Sequence, residues 1–238
     1  MADQTSHIIS PQNSTPQEGT AAVQAVLFDY GMVLSRPANS DALAAMLQAT
    51  GADEPTFQTH YWAYRDDYDR GTLNAEHYWR KVAEGALFPL DAKTLHALKT
   101  ADIRMWSDLN TPMVEWAEGL AAVGYRTGIL SNIGDGMSPA FLENFAWLKS
   151  FHHLTWSWEL KLAKPEEAIY LHAAQGLGCR PQEVLFIDDK AENIEAAMQA
   201  GLHAILYAGH EPGGHDAFLR EMRRRGFGYL LSAMPTAD

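Results

Sequence analysis

Four short apolar runs punctuate an otherwise mixed chain: Ala25–Phe28, Arg126–Leu130, Val184–Ile187 and Ala204–Tyr207. They are largely continuous rather than alternating, the pattern of strands buried on both faces. Helical patterns lie between the later runs. Thr111-Pro112 opens one helix with an N-cap and a proline at the first position, and Gly124 is placed to close it. Pro165-Glu166-Glu167 opens another with acids in its first turn, where the helix dipole favours them. A third runs from about Ala191 to Ala200 and stops at Gly201, and "FLREMRRRGFGYLL" reads as a last helix with arginines near its end. Strand–helix alternation of this kind predicts an α/β core in which helices cover both faces of a parallel sheet.

Residues 37–108 break the rhythm. They hold helical patterns at Asp41–Ala49, Phe57–Tyr68, Asn74–Glu84 and Thr94–Met105, and no convincing strand. Roughly 70 residues is too long for an ordinary loop. The expected organisation is a core of residues 23–36 and 109–238 interrupted by an all-α cap at 37–108. Residues 1–22 are polar and rich in Ser, Thr, Gln and Pro, with no apolar leader, and read as a flexible tail.

Charge and composition narrow the partners. Thirty acids against 18 bases give a net −12, which disfavours nucleic acid and anionic membranes as non-specific partners. A local site can still oppose the global sign and take a small anion. The single cysteine, Cys179, excludes an internal disulfide and fits a reducing compartment. No apolar run approaches the ~20 residues of a membrane span. The expectation is a cytoplasmic protein, a monomer or homodimer, that takes a small molecule.

Chemistry-bearing residues gather at the strand ends. Asp29 follows the first apolar run, Ser131-Asn132 the second, Asp188-Asp189 the third, and Lys164 stands before Pro165. In open α/β sheets the ligand crevice lies beyond the carboxyl ends of the strands, so these groups can converge there. A carboxylate can attack phosphorus, a hydroxyl and an ammonium can hold phosphoryl oxygens, and hard oxygen ligands suit Mg²⁺.

The ordered segments "FDYGMVL" at 28–34, "ILSN" at 129–132, "KP" at 164–165 and "FIDD" at 186–189 strongly resemble the four motifs of the haloacid dehalogenase-like (HAD) superfamily. The resemblance spans about residues 24–208. The insertion after the first motif resembles the helical-cap subclass, and the tract from "ELKLAKPEEAIY" to "AGLHAI" is similar to the D-glucose-1-phosphatase-type branch. The resemblance implies a Rossmann-like core with a helical cap, a Mg²⁺ cofactor and a phosphatase acting through an aspartyl-phosphate. It makes Asp29 the nucleophile, Ser131 and Asn132 phosphoryl-binding groups, and Lys164 the neutralising cation. Asp29, the Gly31 carbonyl and Asp189 become metal ligands, Asp188 becomes a further ligand or a base beside them, Asn193 orients the metal loop, and the partner is a small phosphorylated metabolite. The alternatives are a dehalogenase using Asp29 on carbon and a catalytically weak phosphate-binding protein.

One departure stands out. Most phosphatases of this superfamily carry a second acid two residues after the nucleophile, and here that position is Gly31. General acid–base help is worth ~10²–10⁴ in rate. Sugar 1-phosphates, aryl phosphates or acyl phosphates need less protonation of the leaving oxygen. Alternatively a cap residue, or a water ordered by the metal, replaces the acid. The segment "HYWAYRDDYDRG" offers His60, Asp66, Asp67, Asp69 and Arg70 for that role, with Tyr61, Trp62, Tyr64 and Tyr68 as stacking surfaces. His152-His153, His210 and His215 have no metal-ligand spacing, and Cys179 has no base near it in sequence.

Overall fold

A computed structural model describes residues 22–234. The tail expected over residues 1–22 falls, apart from Ala22, outside the described residues. Five parallel strands form one sheet: β1 Ala25–Phe28, β2 Arg126–Ser131, β3 His153–Trp156, β4 Val184–Asp188 and β5 His203–Leu206, in the order β3-β2-β1-β4-β5. The sheet is larger than the four apolar runs predict. β3 is an edge strand reading His-Leu-Thr-Trp, and its identity as a strand comes from pairing with Gly128–Ser131 rather than from local hydropathy. The last strand also lies one residue earlier than its apolar run.

β1 is central and shows why the sheet is buried twice over. Val26 and Phe28 face one apolar cluster while Ala25 and Leu27 face another. Successive strand side chains point to opposite faces. Both layers must therefore be covered by helices. The helices following the inserted region are α6 Thr111–Ala122, α7 Ser138–Asn144, α8 Ser157–Leu160, α9 Glu167–Gly176, α10 Ala191–Gln199 and α11 Gly214–Arg224. α6 and α11 supply Met113, Trp116, Phe218 and Met222 to the first cluster. α9 and α10 supply Ile169, Tyr170, Ala173 and Ala197 to the second. Pro165 does not open α9, which starts two residues later. The C-terminal segment is helical only to Arg224 and continues as a 3₁₀ turn at Gly228–Ala233.

Five helices lie between β1 and α6: α1 Ser40–Thr50, α2 Glu54–Ala63, α3 Arg65–Arg70, α4 Ala75–Gly85 and α5 Ala92–Met105. They enclose their own apolar cluster, with Phe57, Tyr61, Tyr78, Trp79 and Leu98 fully or almost fully buried. The helical pattern at Phe57–Tyr68 is two helices, interrupted at Tyr64, whose φ −117° and ψ 8° leave the helical region. Tyr61 and Tyr68 serve this packing rather than an open stacking surface. The two connections to the core run side by side: Ser35 bridges Leu109, and Arg36 N–H donates to Asp108 O at 2.7 Å.

The inserted helices rest directly on the loop after β2. A side chain at Gly134 would place its Cβ 2.2 Å from the Tyr68 ring, so only glycine permits this approach. Gly136 N–H donates to Tyr68 Oη at 3.2 Å, and Ala75 N–H donates to Asp135 Oδ1 at 2.8 Å. Among the described residues no helix is long and apolar enough to cross a membrane.

Candidate active site

The sheet reverses its winding between β1 and β4, and ligands of open α/β sheets bind beyond the strand ends at such a point. Asp29 follows β1 directly, while Ser131 and Asp188 are the last residues of β2 and β4. Parallel register aligns Phe28 with Ile129 and Ile187, so these polar residues emerge at one edge.

Lys164 ties the edge together. Its Nζ lies 2.7 Å from Asp29 Oδ1 and 2.7 Å from Asp188 Oδ2. Burial works against its charge, but Asp188 and Asp29 carry its pKa above the ordinary lysine value. Asp29 Oδ1 also accepts from the Tyr30 N–H at 2.7 Å, while Oδ2 has no hydrogen-bond partner among the described residues. Asp188 is fully buried and held by further donors: Lys190 N–H donates at 2.8 Å, and Asn193 Nδ2 reaches both oxygens at 3.0 and 3.1 Å. Asn193 thus orients Asp188.

Ser131 is buried and has only a long contact, donating to Asn132 O at 3.4 Å. Asn132 is engaged differently. Its Nδ2 donates to Lys164 O at 3.0 Å and its Oδ1 accepts from Lys164 N–H at 2.9 Å. That side chain clamps the lysine backbone, although the residue still lines the cavity.

Asp29, Asp188 and Asp189 bring one carboxylate oxygen each within 4.8 Å of one another. Burial, opposed by Lys164 but reinforced by Asp188 and Asp189, pushes Asp29 up to about 7. Burial and Asp188 also raise Asp189. Three carboxylates against the Lys164 and Lys190 ammonium groups still leave an excess of negative charge, and the donors are all hard oxygens. This set fits a divalent cation such as Mg²⁺.

Gly31 has φ −63° and ψ 136°, a conformation open to any residue. A Cβ there would meet the Trp106 ring at 3.7 and 4.0 Å, ordinary contact distances. The backbone therefore does not demand glycine. What stands over the position is an indole from the end of α5.

Asp29, Gly31, Ser131, Asn132, Lys164, Asp189 and Asn193 line a cavity of about 280 Å³, and Asp188 does not reach its surface. Its far wall comes from the inserted helices: Trp62, Arg65, Asp66 and Asp69. Of the acids and bases singled out in residues 60–71, Asp66 and Asp69 line the cavity, whereas His60, Asp67 and Arg70 do not. Arg70 instead pairs with Glu166, bridging α3 to the core. Arg65 and Trp106 carry no motif signal. A buried arginine four places before Asp69 in a charged run looks like a solvated helix face until Asp102, 37 residues away, is brought beside it. His152 Nδ1 accepts from Thr127 N–H at 3.1 Å, and Cys179 lies away from the cavity.

Residues 18–201 match a family model described as haloacid dehalogenase-like hydrolase. The chain is 28% identical over 135 residues to (S)-2-haloacid dehalogenase 4A from Burkholderia cepacia, covering 54% of this chain and 58% of that one. It is 30% identical over 125 residues to glyceraldehyde 3-phosphate phosphatase from Methanothermobacter thermautotrophicus, covering 50% and 52%. The matches thus span little more than half the length of these relatives. A HAD family enzyme from Bacteroides thetaiotaomicron, solved in complex with magnesium and inorganic phosphate, shares the fold with a TM-score of 0.65. It is 19% identical and covers 82% of this chain and 98% of its own.

Proposed function

The chain belongs to the haloacid dehalogenase-like hydrolases, and within that family we propose that it is a Mg²⁺-dependent phosphatase of small phosphomonoesters, sugar phosphates in particular. The observation that carries this reading is the cluster of Asp29, Asp188 and Asp189 around one buried lysine. Displacing halide from carbon needs one carboxylate nucleophile; it gives no reason to gather two further acids beside it. Phosphoryl transfer does, because a divalent cation offsets the charge of both the carboxylates and the phosphate.

Asp29, Asp189 and Asp188, with the Gly31 carbonyl, are the groups that would hold the ion. When bound it supplies electrostatic stabilisation to the phosphoryl oxygens. Asp29 attacks phosphorus and becomes the aspartyl-phosphate, with its Oδ1 already neutralised by Lys164. The Lys164 ammonium and the buried Ser131 hydroxyl hold non-bridging oxygens. Asn132 keeps Lys164 in place through its backbone. Trp62 offers a stacking face on the wall formed by the inserted helices and Asp66 accepts hydroxyl hydrogen bonds, a pairing that suits a hydroxylated ring.

The test is a panel of phosphometabolites with Mg²⁺, scored as kcat/KM beside 2-haloacids, for wild type and Asp29→Asn. EDTA-sensitive phosphate release that vanishes in the variant is expected. Halide release persisting in EDTA, or equal phosphate release by both proteins, overturns the reading.

A further inference from the structure

The acid that Gly31 does not supply has a counterpart across the cavity. Asp69, on α3, lines the same cavity as Asp29 and Lys164. Its position is secured at both ends of the residue. Arg65 Nε donates to its two carboxylate oxygens at 3.0 and 3.1 Å. Its main-chain carbonyl accepts from Ser157 Oγ, and that same hydroxyl accepts from Ile133 N–H at 2.9 Å. Ile133 is two residues past Ser131. One serine therefore couples Asp69 to the loop that presents the phosphoryl-binding hydroxyl, and Tyr68 on Gly134 reinforces the same approach.

The charge around Asp69 is unbalanced. Arg65 faces two acids, Asp69 on its own helix and Asp102 on α5, at 3.0 and 3.1 Å. Asp102 is sealed from solvent and also accepts from Tyr61 Oη at 2.6 Å. Arg65 and Asp102 thus neutralise each other, leaving Asp69 with a shared cation and an opening to the cavity. Asp66, exposed on the same helix, adds a further negative charge. Burial, opposed by Arg65 and reinforced by Asp102 and Asp66, pushes Asp69 up to about 6. A carboxyl near that value can both give and take a proton at neutral pH.

We propose that Asp69 is the general acid–base of this site, doing from the cap what a side chain at Gly31 would otherwise do. The assignment rests on the phosphatase reading above. As Asp29 bonds to phosphorus and the P–O bond to the leaving group breaks, protonated Asp69 passes its proton to the departing oxygen, which leaves as an alcohol. The Asp69 carboxylate then takes a proton from water as that water attacks phosphorus, the Asp29–phosphorus bond breaks, and inorganic phosphate is released. Asp69 ends protonated and Asp29 ionised, ready for the next turnover.

The test compares kcat/KM for a sugar or other alkyl phosphate with kcat/KM for p-nitrophenyl phosphate, using wild type, D69N and D29N with Mg²⁺. D69N should lose ~10²–10⁴ on the alkyl phosphate and less than about tenfold on the aryl phosphate, whose leaving group needs no proton. Adding G31D to D69N should restore at least about tenfold of the alkyl loss. Parallel losses on both substrates, or no alkyl loss, overturn the assignment. Should D69N fail to fold, wild type alone decides: a shallow dependence on leaving-group basicity supports Asp69, and a steep one refutes it. Loss of all Asp29-dependent phosphate release from wild type would be a failure of the phosphatase reading itself, visible in D29N and separate from these outcomes.

Discussion

Lys164 Nζ stands 2.7 Å from Asp29 Oδ1 while its main chain is held on both sides by Asn132. The lysine also contacts Asp188, so one ammonium neutralises the first and third strand-end acids together. Lys164→Ala should leave both carboxylates buried without a compensating positive charge in contact with them. Breaking such a pair costs about 3–5 kcal/mol, so a large fall in Tm is expected with phosphatase activity near background. Urea unfolding in EDTA measures the loss, and an unchanged midpoint would contradict it.

Asn132→Ala tests the clamp. The variant removes two hydrogen bonds to the Lys164 backbone, worth about 0.5–1.5 kcal/mol each. Because the side chain acts through the lysine, kcat should fall more than KM rises. A rise in KM alone would place the side chain on the substrate instead.

Magnesium should stabilise the protein, and more so at higher pH. Without the ion, Asp29 is raised from 3.8 to about 7 and Asp69 from 3.8 to about 6. Across that interval the folded state binds more protons than the unfolded, so metal-free stability should rise as pH falls from about 8 to about 5. Lys164, raised above its ordinary value, contributes fully throughout this range and does not set the slope. Metal and proton compete for Asp29, so the Mg²⁺-induced Tm shift should be larger at pH 8 than at pH 5.5. At 100-fold the dissociation constant the gain is about 2.7 kcal/mol. Asp189→Asn should abolish most of it in a thermal-shift titration.

Gly31→Ala should be tolerated. Its backbone conformation is ordinary and the new methyl would touch the Trp106 ring at contact distance. Reduced unfolded-state entropy favours alanine by about 0.4–1 kcal/mol, and activity should stay within a few-fold of wild type. A drop in Tm would show that the loop needs glycine for conformational reasons.

The chain's own pattern was enough to place the strand ends that matter. A four-residue apolar run followed by Asp29 leaves little choice, because a strand buried on both faces can carry an acid only where it leaves the sheet. Asp188-Asp189 follows from the same constraint, and the helical rhythm of residues 37–108 follows from the absence of strand-like runs. β3 was not legible because Gly128–Ser131 completes its backbone pairing and Leu154 and Trp156 find apolar partners only in the folded sheet.

What sequence could not decide was the far wall. Local pattern makes "RDDYDR" a solvated face, yet Arg65 is buried by Tyr61 and Asp102, and the Asp69 carbonyl is held by Ser157, 88 residues away. Gly31 likewise gains its meaning from Trp106. By itself the sequence determined which acids end the strands, since hydrophobic periodicity is local. Tertiary structure alone decided which acid of the helices between β1 and α6 shares their cavity, because burial and charge balance are set by residues distant along the chain.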